Sequence, residues 1–140
     1  MEDLKTILSS HHSKGNNEAN VIRPKNDKVQ ASTSEIPDIF FDEILIKIKL
    51  TRTEILVLMS LYRMTWCRPN LYKKYGIAPI ISHSDISSQL EINAEVFHST
   101  IRKLEELKFI ETIRAGQYFV RKYFSEENDR KYGQTYDNFL

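Results

Sequence analysis

Residues 84–113 read SDISSQLEINAEVFHSTIRKLEELKFIETI, and the spacing within them decides the fold. Ser82 and Asp85 stand in the capping-box relation ahead of a short helix, SHSDISSQL, with Ile86 and Leu90 one turn apart on its inward face. Glu91, Ile92 and Asn93 make a turn, and Asn93 is a residue type that caps a following helix by accepting from its free backbone N–H groups. That helix, AEVFHSTIRKLEELK, turns Phe97, Ile101, Leu104 and either Leu107 or the stem of Lys108 inward. Phe109 to Ile113 then alternates as a strand, and Ala115-Gly116 is a turn. Gln117 to Phe124 alternates again through Tyr118, Val120 and Tyr123, so a hairpin is predicted.

Upstream, TRTEILVLMSLYRMTW (51–66) is the plainest helix. Thr51 and Glu54 form a capping box, and Ile55, Leu58, Leu61 and Tyr62 make the predicted buried stripe. Before it, PDIFFDEILIKIK (37–49) repeats Ile39, Phe40, Ile44, Leu45 and Ile48 at helical spacing, with Pro37 suited to the first turn. Between the two helical regions, CRPNLYKKYGIAP (67–79) holds two prolines and a glycine and reads as a loop; Pro79, Ile80 and Ile81 are candidates for a short strand. The expected class is mainly α with a small β hairpin (α+β), without internal repeats.

Residues 9–35 are nearly devoid of large apolar side chains and rich in Ser, Asn and Lys. Such a stretch buries too little surface to offset the entropy of ordering. The expected organisation is a flexible arm over 1–34, a folded domain over 35–124 and a tail over 125–140. Leu4, Ile7 and Leu8 could line one face of a helix too short to be stable alone in water. His11 and His12 lack a third ligand nearby in sequence and read as surface residues. In the tail, Tyr132, Tyr136 and Phe139 are spaced i, i+4, i+7, which predicts that the last turns dock on the body or on a second subunit.

The totals exclude several classes. With 41% hydrophobic residues, among them 7 Tyr, 7 Phe and 1 Trp, the chain can build one core. No run of about 18 apolar residues is present, and MEDLKTILSSHH lacks an apolar signal core, so a cytoplasmic protein away from membranes is expected. Cys67 stands alone, which rules out an internal disulfide and a cysteine-based zinc site. There is no glycine-rich phosphate loop, HExxH, paired Cys or nucleophile–base set, so neither enzymatic chemistry nor a cofactor or metal is expected. Asp38, Asp42 and Glu43 read as a solvated helix face. The net charge of +1 names no partner, and residues 35–124 carry 13 Lys/Arg against 11 acids. Nucleic-acid binding would therefore require the charges to be segregated onto one face.

The stretch 84–113 resembles the helix-turn-helix of winged-helix DNA-binding proteins: a polar cap, a short helix ending in Leu, a hydrophobic turn residue, and a helix ending in Leu-Glu followed by two apolar residues. The preceding IPDIFFDEILIKIKLTRTEILVLMSLYRMTW and its basic loop resemble the N-terminal domain of phage and plasmid replication initiators of the replication protein O type. The matching features are a leading helix, a Thr-x-x-Glu-apolar helix start, and Arg63-Met64-Thr65-Trp66 before the loop. The resemblance covers about residues 36–124. It implies sequence-specific binding of double-stranded DNA in replication initiation, with a homodimer or a replication or transcription protein as a further partner. Glu91 departs from the glycine common in that turn, which predicts an uncommon backbone conformation.

If Phe97, Ile101 and Leu104 face the core, then Glu95, His98, Ser99, Arg102 and Lys103 project from the other side. Ser99, Arg102 and Lys103 can donate to phosphates or base edges; alternatively Arg102 and Lys103 are the solvated face of an amphipathic helix. Ser84 and Asn93 complete that set of candidate contacts. Arg114 beside the hairpin turn and Arg121 on the returning strand suit a minor groove or backbone, or else guard an exposed strand edge, and Lys122 is open to the same readings. In the loop, Arg68, Lys73 and Lys74 interleave with Tyr72 and Tyr75, a pattern that suits backbone contact and stacking; equally, the tyrosines could pack over the core. Trp66 reads as a core cap. A transcription regulator and a winged helix used only for protein–protein contact are the alternative functions.

Overall fold

Thr51 opens the helix around which the core is built. Its hydroxyl accepts from the Glu54 N–H at 3.1 Å while the Glu54 carboxylate accepts from the Thr51 N–H at 2.8 Å, so both halves of the predicted capping box form. The computed structural model describes residues 29–139. The chain divides into one unit ending at Thr33 and one starting at Ser34. Of the first, residues 29–33 are exposed and without regular secondary structure. The expectations for Leu4, Ile7, Leu8, His11, His12 and most of the arm lie outside the described residues.

The second unit is α+β, about half helical with one two-stranded antiparallel sheet. Helix α1 is a π-helical turn, Phe40–Ile44, continuing as the α-turn Leu45–Lys47; of the five apolar residues at helical spacing, Ile39, Phe40 and Ile44 are buried and Leu45 and Ile48 partly so. Helix α2 (Arg52–Tyr62) buries Val57 as well as Leu58, Leu61 and Tyr62, whereas Ile55 is only partly covered. The run ILVLMSLY is apolar on nearly every face, so its periodicity does not single out the inward side. Past Tyr62 the helix widens into a π-helical turn, Arg63–Cys67. There the fully buried Thr65 hydroxyl donates back to the Leu61 carbonyl at 2.7 Å.

In the loop that follows, the Asn70 side chain accepts from the Tyr72 N–H and donates to the Thr65 and Ile77 carbonyls, which fixes the two ends of the loop together. A 3₁₀ turn, Lys73–Tyr75, ends at the left-handed Gly76. The expected strand at Pro79–Ile81 is displaced. An isolated bridge forms at Ile77, opposite Phe119, and the Ala78 and Ile81 N–H groups donate to the Tyr118 and Gly116 carbonyls. Pro79 has no N–H to continue the ladder, and Ile80 is turned out, 55% exposed.

Helix α3 (His83–Leu90) is capped by the Ser82 hydroxyl, which accepts from the Asp85 N–H; among the described residues the reciprocal side-chain bond is not made. The Asp carboxylate is one methylene shorter than the Glu or Gln that closes a capping box. Ile86 and Ser87 are buried and Leu90 packs at the margin. Glu91 ends α3 at φ 57°, in the left-handed conformation expected there. Asn93 then caps helix α4 (Ala94–Glu106) by accepting from the Val96 N–H at 2.8 Å. Phe97, Thr100, Ile101 and Leu104 face inward, and α4 packs on α2, α3 and the first strand.

Strands β1 (Ile110–Arg114) and β2 (Gln117–Val120) pair antiparallel, Ile110 opposite Val120 and Thr112 opposite Tyr118, with a bulge between Thr112 and Arg114. Gly116 sits at φ 80°, and a Cβ on it would lie 2.5 Å from the Ile81 carbonyl oxygen; the hairpin turn needs glycine on both counts. The second strand stops at Val120, short of the predicted Phe124. Phe124 adopts φ 74° and turns its ring back into the core, stacked on Tyr62 at 5.1 Å and beside Phe40.

Helix α5 (Glu126–Lys131), capped by Ser125, and the residues after it lie against this body. Tyr132, Tyr136 and Phe139 all contact it, Tyr132 on Tyr123, Tyr136 on Trp66 and Phe119, and Phe139 on Tyr72 and Tyr75. They do so from a chain that has left the helix at Gly133 (φ 72°), not from successive helical turns. Among the described residues no helix is long and apolar enough to cross a membrane.

Candidate nucleic-acid interface

The outer face of α4 is set by the same periodicity that buries Phe97, Ile101 and Leu104. Glu95, His98, Ser99, Arg102 and Lys103 are all exposed, as the sequence implied. Their functional groups are engaged to different degrees. The Ser99 hydroxyl donates to the Val96 carbonyl at 3.1 Å within its own helix, and Lys103 lies 4.0 Å from the Glu106 carboxylate. Asn93 spends its amide oxygen on the helix cap. The Ser84 hydroxyl, on the exposed first turn of α3, lies 3.0 Å from that of Ser82.

His98 is joined to a residue the sequence reading did not single out. The His83 ring, at the start of α3, meets His98 edge to face at 4.7 Å and packs on Phe97 at 5.3 Å. Its Nε2 shares a 2.8 Å hydrogen bond with the Tyr118 hydroxyl of β2. Burial first, and the neighbouring His98 second, push His83 below the ordinary histidine value of 6.5. Burial likewise raises Tyr118, with Glu105 adding to it. These four rings tie α3, α4 and the hairpin together. No sequence motif marks them, because the contact depends on the angle at which α3 meets α4.

The hairpin begins four residues after α4 ends. The Glu105 carboxylate accepts from the Thr112 N–H at 3.2 Å, which links helix to strand. Arg114 is exposed at the turn and donates through Nε to the Gln117 side chain at 2.9 Å; Gln117, fully buried, donates in turn to the Ala78 carbonyl. Arg121 is placed differently. Its guanidinium pairs with the buried Asp129 of α5 at 3.1 Å and lies over the Phe119 ring, so it serves the attachment of the C-terminal segment.

The loop cations are apart from α4 in sequence and held by other partners. Arg68 donates to the Cys67 carbonyl at 2.9 Å and to the Ser34 hydroxyl at 3.3 Å. Lys73 and Lys74 are exposed, Lys74 over the Tyr75 ring, while Tyr72 and Tyr75 are occupied by Phe139. Trp66 caps the core: its indole N–H donates to the Val120 carbonyl at 3.0 Å, and the Lys122 ammonium lies over its ring. Among the described residues no group of three or more His, Cys, Asp or Glu is placed to hold a metal ion. Comparison of the chain with family models, with curated proteins and with solved structures gives no match.

Proposed function

We propose that the unit beginning at Ser34 is a winged helix-turn-helix that binds double-stranded DNA sequence-specifically. In this reading α3, the Glu91–Asn93 turn and α4 are the helix-turn-helix, the β1–β2 hairpin is the wing, and α4 enters the major groove. One observation carries the reading. A 13-residue helix keeps a wholly exposed polar face directly before a hairpin that presents an arginine at its turn. Order of elements supports it too: the segment from Gly76 to Ile81 runs along β2 as a third, irregular edge. The contact set is Glu95, His98, Ser99, Arg102 and Lys103 on α4 with Arg114 on the wing, while Arg121 is left to structure. The resemblance to phage and plasmid initiators makes replication initiation the preferred role.

The test is fluorescence anisotropy of the full chain on duplex DNA across a salt series. Each neutralised phosphate releases condensed counterions, so the logarithm of affinity should fall with the logarithm of salt by about 0.9 per contact. Absent binding, or binding indifferent to salt, would overturn the reading in favour of a protein partner. Sequencing of genomic fragments retained by the protein assigns the role: a repeat array at an origin supports replication, and promoters support transcriptional control instead.

A further inference from the structure

Several polar groups of α4 have a partner within the protein. Lys103 pairs with Glu106, Glu105 accepts from the Thr112 N–H, and Ser99 and Thr100 donate to the Val96 carbonyl. Glu95, His98 and Arg102 are exposed and have no hydrogen-bonding or ionic partner among the described residues; His98 packs on the rings of His83 and Phe97, which leaves Glu95 and Arg102. They are seven residues apart, so on a helix of 3.6 residues per turn they point within about 20° of one another. That shared direction is opposite Phe97 and Leu104, along the crest of the face turned away from the core. The rise between them is about 10 Å, two turns of helix, over which a helix lying in the major groove reads about three successive base pairs.

An unpaired carboxylate is a poor neighbour for phosphate, and its use at a groove floor is to accept a hydrogen bond. Of the base edges in the major groove, cytosine presents its N4 amino group as a lone donor, which a carboxylate can accept; guanine presents two acceptors that a guanidinium grips with two bonds. Building on the duplex-DNA reading above, we infer that the target site contains a cytosine read by Glu95 and a guanine read by Arg102, within about three successive base pairs. Glu95 then repels sites that offer no donor at its position, and so contributes discrimination where Lys103 and Arg114 contribute attraction.

The experiment is selection of bound duplexes from a random library at physiological salt, with the full-length wild type, Glu95→Gln and Arg102→Ala. Thermal melts establish that each variant is folded. Wild type should return a site with C and G within that span. Glu95→Gln should change the cytosine position to adenine, the partner a glutamine amide matches, and leave the guanine position intact. Arg102→Ala should lose the guanine preference and weaken the wild-type site by about 5- to 150-fold. A selected site that neither folded variant alters overturns the inference while leaving sequence-specific DNA binding standing; binding by wild type without sequence preference overturns the specificity of the functional reading as well. Absence of any binding by wild type overturns the functional reading itself.

Discussion

The Tyr136 hydroxyl donates to the Asp129 carboxylate at 2.6 Å and accepts from the Lys122 backbone N–H at 3.0 Å. Asp129 also takes the Arg121 guanidinium and the Tyr123 N–H, and burial with the Asp129 bond pushes Tyr136 well above the usual tyrosine range. One buried carboxylate thus fastens the segment after α5 to the turn that follows β2. Removing it strands a guanidinium and a backbone donor. Asp129→Ala should cost about 3–5 kcal/mol, and Tyr136→Phe about 1–3 kcal/mol. Urea denaturation of the two variants measures both, and equal stabilities for all three proteins would refute the clasp.

Arg102 and Ile101 are adjacent but point to opposite sides of the core boundary, one exposed and the other buried. Arg102→Ala should leave stability within about 0.5 kcal/mol of wild type and cost about 1–3 kcal/mol of specific DNA binding. Ile101→Ala should cost about 2–5 kcal/mol of folding through the cavity it leaves. Thermal melts and anisotropy on the same samples separate the two effects. Normal binding by folded Arg102→Ala would remove α4 from the role of recognition helix.

His83 is held below its ordinary value of 6.5, so the folded protein disfavours its charged form relative to the unfolded chain. The unfolded state binds the proton first as pH falls, and stability is lost as pH drops from neutrality through about 6.5. Among the described residues His83 contacts His98, Phe97 and the Tyr118 hydroxyl, and no ion pair with a carboxylate is formed. Melting temperature should decline between pH 7 and pH 5.5, and His83→Gln should flatten that decline. A wild-type profile no steeper than the variant's would refute the assignment.

Glu91 holds a left-handed conformation at the end of α3, which strains a residue with a Cβ. Glu91→Gly should relieve the strain, with part of the gain lost to the freer unfolded chain, for a net stabilisation of about 0.5–1 kcal/mol. A lower denaturation midpoint in the variant would contradict this.

Where polar and apolar residues contrast at a fixed period, the sequence could be read directly. Ile86, Phe97, Ile101, Leu104 and Phe109 are buried, and Thr51 and Asn93 cap the helices they were expected to cap. Val57 was not legible because α2 is apolar all round, and the π-helical turns of α1 and after Tyr62 leave no periodic mark. Phe124 looked like strand because it continues the alternation, yet a left-handed turn redirects it to stack on Tyr62. At the candidate site, the exposed face of α4 follows from periodicity. The assignment of Arg121 to Asp129, and the contact of His83 with His98, depend on how distant segments approach, which local spacing does not encode.

Trp66 is the single tryptophan of the chain. Its indole N–H is bonded to the last residue of β2, its ring lies 6.2 Å from Tyr136, and the Lys122 ammonium sits over it. One chromophore therefore senses both the end of β2 and the segment after α5. Excitation at the red edge of the absorption band gives an intrinsic optical signal from that junction, with no label attached. Displacing Tyr136 alters the indole's neighbours while the bond to Val120 can persist, so a change in emission reports a disturbance of this junction.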